Sequence, residues 1–183
     1  MKRYTGWVGM VLLAVVTTLW ATDKFALRVN AGADKDCTDK AGNTWKAGKE
    51  YVKDGGYGFM GGSTVDRGVD MQIAGTQDAR IYQTEHYGMD GFKAEVPKGK
   101  YTVRLHFAET YDGIAGDGER VFTVKLQGKE VLKDFDPRKV AGANQKAVVK
   151  EFKGVEATDG LIEIGFERQT QEPEINGIEI IAE

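Results

Sequence analysis

The chain has 183 residues with 24 glycines, 3 prolines and one cysteine. That length suits one domain, and the lone Cys37 excludes a disulfide framework and paired-cysteine metal or redox motifs. The 25 basic and 28 acidic side chains leave a net charge of −3, a balance that argues against nucleic-acid binding, which calls for a basic patch. The first element in chain order is a targeting pattern. Lys2 and Arg3 precede an apolar run, Val8 to Trp20, of 13 residues, and Ala21 supplies a small residue for cleavage. The run is shorter than the roughly 20 residues that span a bilayer. It predicts a secretory signal peptide over residues 1–21 and a secreted or periplasmic domain over 22–183 with no transmembrane anchor; an uncleaved anchor is the alternative. Removing Lys2 and Arg3 leaves 23 basic residues against 28 acidic ones, net −5.

From Phe25 onward the pattern is short strands punctuated by glycine-rich turns. Phe25, Leu27 and Val29 share one face of the first strand. Residues 31–72 are polar and glycine-rich with scattered aromatics (Trp45, Tyr51, Tyr57, Phe59), and read as a long loop kept for packing or binding. Tyr101, Val103, Leu105 and Phe107 alternate with Thr102, Arg104, His106 and Ala108. Phe122, Val124 and Leu126 line up in the next strand, then Ile162, Ile164 and Phe166, and residues 175–181 read as a final core strand. This period of two, rich in β-branched and aromatic residues, is the half-buried strand signal. Residues 54–56, 97–99, 127–129 and 159–160 carry turn signals. No run of ten or more residues after residue 22 has helical periodicity, so the chain is expected to be all-β, a sandwich.

Chemistry-bearing residues support several readings. Glu85, Glu109, Asp112, Asp117 and Asp136 could supply a carboxylate pair for a small glycoside hydrolase, but 28 acids make some close pair inevitable. Glu85 and Glu109 are assigned first to structure, pairing with Arg104 or Arg120. His86 and His106 lack metal-ligand spacing, and no nucleophile motif is present. Asp34, Asp36 and Asp39 have the alternation that suits a calcium loop, yet they complete no EF-hand, and no metal or cofactor is assigned. A sugar site needs flat aromatics with polar groups around them. Tyr57, Tyr82, Tyr87 and Tyr111 lie in or beside expected loops. Tyr82 follows Ile81 into the sheet, whereas Tyr87 and Tyr111 end apolar runs and precede Gly88 and Asp112-Gly113.

Six blocks, in order, resemble the malectin domain: Arg28-Val-Asn-Ala-Gly32, Ile81-Tyr-Gln-Thr-Glu-His-Tyr87, the segment Gly99 to Tyr111, Arg120-Val-Phe-Thr-Val124, Asp134-Phe-Asp136 and Ile175-Asn-Gly-Ile-Glu-Ile180. The resemblance covers nearly all of residues 25–182. It implies a β-sandwich of jelly-roll type with long loops at one end, acting as a non-catalytic carbohydrate-binding module for glucose-containing glycans. The family's stacking tyrosines fall on Tyr57, Tyr87 and Tyr111. Asp112 stands where the family has a further aromatic, and Gln171 where it has a sugar-binding aspartate; both are expected to bond sugar hydroxyls. A protein-binding or adhesion module of the same fold is the main alternative.

Overall fold

The computed structural model describes Met1 and residues 24–183; apart from Met1, the expected signal peptide lies outside the described residues. In chain order the strands are β1 (Ala26–Asn30), β2 (Cys37–Thr38), β3 (Thr44–Ala47), β4 (Tyr57–Asp66), β5 (Thr84–Glu95), β6 (Gly99–Phe107), β7 (Val121–Leu126), β8 (Lys129–Phe135), β9 (Val148–Ala157), β10 (Leu161–Thr170), β11 (Glu174–Ile175) and β12 (Gly177–Ala182). Two short helices, α1 (Ala79–Tyr82) and α2 (Pro137–Ala141), interrupt them. One sheet runs β2-β3-β1-β12-β6-β9 and the other β11-β5-β10-β7-β8, with β4 also paired to β5. Pairing between these strands is antiparallel except for β1 with β3. The molecule is the all-β sandwich expected from the alternating pattern.

The core follows from that alternation. Tyr101, Val103, Leu105 and Phe107 of β6 point inward, against Phe122 and Val124 of β7 and Ile162 and Ile164 of β10. Each large apolar side chain buried this way contributes about 1.5–3 kcal/mol. The opposite face of β6 is not all solvent. His106 is buried there between Trp45 and Tyr82, with ring centroids 5.2 and 5.8 Å away. Its Nδ1 is hydrogen-bonded to the Tyr82 hydroxyl at 2.8 Å, and its Nε2 lies 3.1 Å from Glu179. A second, smaller core of Trp45, Ile73, Ile81, Tyr82 and Ala108 forms on this side.

Three expectations are corrected. Residues 31–72 are not one long loop: they contain β2, β3 and the ten-residue β4. The signal was hidden by glycines that break the side-chain alternation. Gly62 sits at φ +86° where a Cβ would lie 2.6 Å from the Tyr87 carbonyl oxygen, so the close approach of β4 to β5 requires glycine. Tyr82 lies in helix α1, not in the sheet. The last core strand is two strands in different sheets, broken at Asn176. Asn176 makes the crossing possible because all its polar groups are satisfied in the interior. Its backbone N–H donates to the His106 carbonyl at 2.9 Å, and its own carbonyl accepts from Ala31 N–H at 2.8 Å. Its Oδ1 accepts from Ala108 N–H at 2.5 Å, while Nδ2 donates to the carbonyls of Tyr82 and Thr84 at 3.2 and 2.9 Å.

Candidate functional site

Several strand ends meet at one end of the sandwich around a cavity of about 300 Å³. Its walls come from the end of β4 and the residues after it (Val65, Arg67), the start of β5 (Glu85, Tyr87), and the loop after β6 (Tyr111). The approach to β7 (Arg120) and the segment between β10 and β11 (Gln171, Glu172) complete it. The size and the mix of apolar faces with a few polar groups fit a small-molecule site. Tyr111 is 43% exposed and Tyr87 half-buried.

Local geometry explains how the tyrosines are presented. Gly88, at φ +69°, lies within β5 just after Tyr87, and its N–H donates to the Pro173 carbonyl at 2.9 Å. That bond ties Tyr87 to the segment leading into β11. The Tyr111 ring folds over its own loop: a Cβ at Gly113 would stand 2.4 Å from the ring's Cε1. The Arg67 guanidinium lies over the same ring, 5.7 Å from its centroid, a cation–π arrangement.

Below these aromatics lies a layer of paired charges. Arg67 donates to Glu85 at 2.8 Å, and Thr110 donates its hydroxyl to the other Glu85 oxygen. Arg120 grips both oxygens of Glu109, at 2.6 and 3.4 Å, and donates to the Glu172 carbonyl. Burial raises the Glu109 carboxyl, and Arg120 beside it opposes that rise. Glu172 is paired with Arg168. Of the carboxylates singled out for a hydrolase, Glu85, Glu109 and Asp117 are thus each paired with an arginine, and Asp136 accepts from the Gly118 and Lys139 N–H groups. Asp39 and Asp36 are also engaged: Asp39 accepts from Asn43 and Trp45, and Asp36 from Lys46 and Ala47 N–H. Among the described residues no three acidic, histidine or cysteine side chains gather as a metal site would require.

Of the residues singled out from sequence, Tyr87, Tyr111 and Gln171 come together at this cavity. Tyr57 and Asp112 are not among its lining. Tyr57 begins β4 opposite Ala94, whereas Ser63, six positions on, lies opposite Tyr87; at about 3.3 Å per residue that is roughly 20 Å away. Its hydroxyl donates to the Ala47 carbonyl at 2.9 Å, and its ring packs on Phe92. Asp112 is exposed on the loop beyond Tyr111. Glu109 pairs with Arg120 as expected. Glu85 pairs instead with Arg67, because Arg104 is engaged by Glu151 and Glu179 on the outer face of β6. Sequence reasoning missed Arg67. Its partners Glu85 and Tyr111 are 18 and 44 positions away, and only strand pairing brings them together.

Residues 25–180 match the family model described as Malectin domain. The chain is 31% identical over 145 residues to Malectin-B of Xenopus laevis, an alignment covering 74% of this chain and 49% of the relative. It therefore spans about half the length of that relative. Among solved structures, a Bacteroides uniformis beta-glucuronidase superposes with a TM-score of 0.77 at 24% identity, over 87% of this chain and 18% of that one. The plant receptor FER, in complex with the peptide RALF23 and LLG2, superposes at 0.70 and 19% identity, over 85% and 48%. At these identities the two structures speak for the fold alone.

Proposed function

The chain belongs to the malectin domain family, and from that premise we propose that it is a non-catalytic carbohydrate-binding module that takes a glucose-containing glycan in the cavity between Tyr87 and Tyr111. The observation that carries this reading is the meeting of Tyr87 on β5 and the loop residue Tyr111 with Arg67 and Gln171 around one small cavity. A sugar ring offers C–H faces to aromatics and hydroxyls to polar groups, and this cavity supplies both. Binding without turnover fits the carboxylates, since Glu85 and Glu109 are each held by an arginine. The Lys2–Ala21 pattern supports an extracytoplasmic location, and no described helix is long and apolar enough to cross a membrane.

Calorimetry with glucose disaccharides of each α and β linkage tests the reading. The domain is expected to bind at least one of them. Tyr87→Ala and Tyr111→Ala should each weaken that binding about tenfold, the loss of roughly 1.4 kcal/mol of aromatic contact, with the melting temperature unchanged. Unchanged affinity in both variants would rule the site out. A protein partner is the second reading, favoured by the peptide-bound plant receptor of the same fold. A domain that ignores every sugar but retains a protein in pull-down would establish it.

A further inference from the structure

Glu174 stands out among the charged residues of the fold. It is 0% exposed, and neither carboxyl oxygen has a hydrogen-bond partner among the described residues. It belongs to the two-residue strand β11, opposite Tyr87, and follows Glu172, a cavity wall, by two positions. We propose that Glu174 is a positioning residue of the sugar cavity: it stands in the folded domain as a neutral carboxylic acid, and loss of its proton opens the wall formed by Tyr87 and Glu172. The proposal rests on the sugar-binding reading for its last step only.

The charges around Glu174 are those of Glu85 on β5, Glu109 after β6, Arg120 before β7 and Arg67 after β4. With Glu174 neutral, two carboxylates face two guanidiniums. With Glu174 charged, three carboxylates share the same two arginines, both already committed to Glu85 and Glu109. Glu172 is neutralised by Arg168. His86, next to Tyr87, is depressed by burial, so it brings no positive charge at neutral pH. Burial, then repulsion from Glu85 and Glu109, lifts the Glu174 carboxyl well above the ordinary range, against the pull of Arg120 and Arg67. An ionised buried carboxylate without a partner is strongly destabilising. Here the strain falls on a two-residue strand, and relief comes by parting β11 from β5 at Tyr87.

Carbon-detected NMR titration of the ligand-free, wild-type domain gives the first test and needs no variant. The Glu174 carboxyl should titrate well above the ordinary carboxylate range; titration within that range would overturn the proposal. Calorimetry with the glucose disaccharide that binds gives the second. Wild-type affinity should fall at least about tenfold as Glu174 ionises, given the cost of an unpaired buried charge. In Glu174→Gln, which cannot ionise, affinity should change less than about twofold over the same range. Equal falls in both proteins would overturn the positioning role. Retention of the proton without binding of any disaccharide would refute the sugar reading, and with it the last step, but not the buried acid.

Discussion

Tyr111 owes its orientation to a residue with no side chain. Its ring occupies the space where Gly113 would carry a Cβ, 2.4 Å from Cε1, and Gly113 is exposed with no positive φ. Gly113→Ala is therefore compatible with the backbone, and the added methyl acts on the ring. The ring is 43% exposed and is free to swing outward, so the cost falls on the site and not on the fold. Gly113→Ala is expected to weaken sugar binding about as much as Tyr111→Ala, roughly tenfold, at constant melting temperature. Added to Tyr111→Ala it should cost nothing more, because its target is gone. Calorimetry on the two single variants and the double variant checks this. Additive losses would mean that Gly113 acts on something other than the tyrosine.

Among the elements, the junction of β11 and β12 joins the sheets to the site. Asn176 moves the chain from one sheet to the other, leaving Glu174 beside Tyr87 and delivering Ile178 and Ile180 to the core. Asn176→Ala would orphan the Ala108 N–H and the Tyr82 and Thr84 carbonyls. At about 1–3 kcal/mol for each unsatisfied buried group, a loss of roughly 3 kcal/mol or more is expected. Urea denaturation measures it; a loss below about 1 kcal/mol would mean that the interior relaxes around the gap. The same junction marks how far the sequence was legible. β6, β7 and β10 were readable because Tyr101 to Phe107 and their counterparts alternate without interruption. β4 was not, because Gly61 and Gly62 bend it. The division of residues 175–181 was also hidden, since Ile175, Ile178 and Ile180 look alike whichever sheet they join. Tyr87 and Tyr111 were legible as aromatics beside turn residues. Arg67 was not, because its place over Tyr111 is set by long-range pairing.

Across the molecule, ionisation acts on stability in opposite directions at Asp39 and Asp66 on one side and at Glu174 on the other. Asp66 is lowered to about 2 by its bonds from Arg80. Burial works to raise Asp39, but hydrogen bonds from Trp45 and Asn43 outweigh it and bring the carboxyl to about 2. A carboxyl depressed by folding contributes stability that is present above its unfolded value and is lost as pH falls through the folded one. Asp39 and Asp66 should therefore weaken the fold between about pH 4 and pH 2. Glu174 has the reverse sign. Its raised value contributes stability that is full below the ordinary carboxylate range and lost as pH rises through the folded value. Thermal melts across pH should show an acid limb flattened by Asp39→Asn with Asp66→Asn, and a decline as pH rises above the ordinary carboxylate range that is reduced in Glu174→Gln. Identical profiles in all variants would contradict these assignments.

The central claim is that the cavity between Tyr87 and Tyr111 holds a glucose-containing glycan. A glycan array probed with the domain and with the Tyr87→Ala/Tyr111→Ala double variant tests it most directly. The expected result is retention of the domain on at least one class of glucose-containing glycan and loss of that signal in the folded double variant. A blank array for the domain, or an undiminished signal from the double variant, would contradict it.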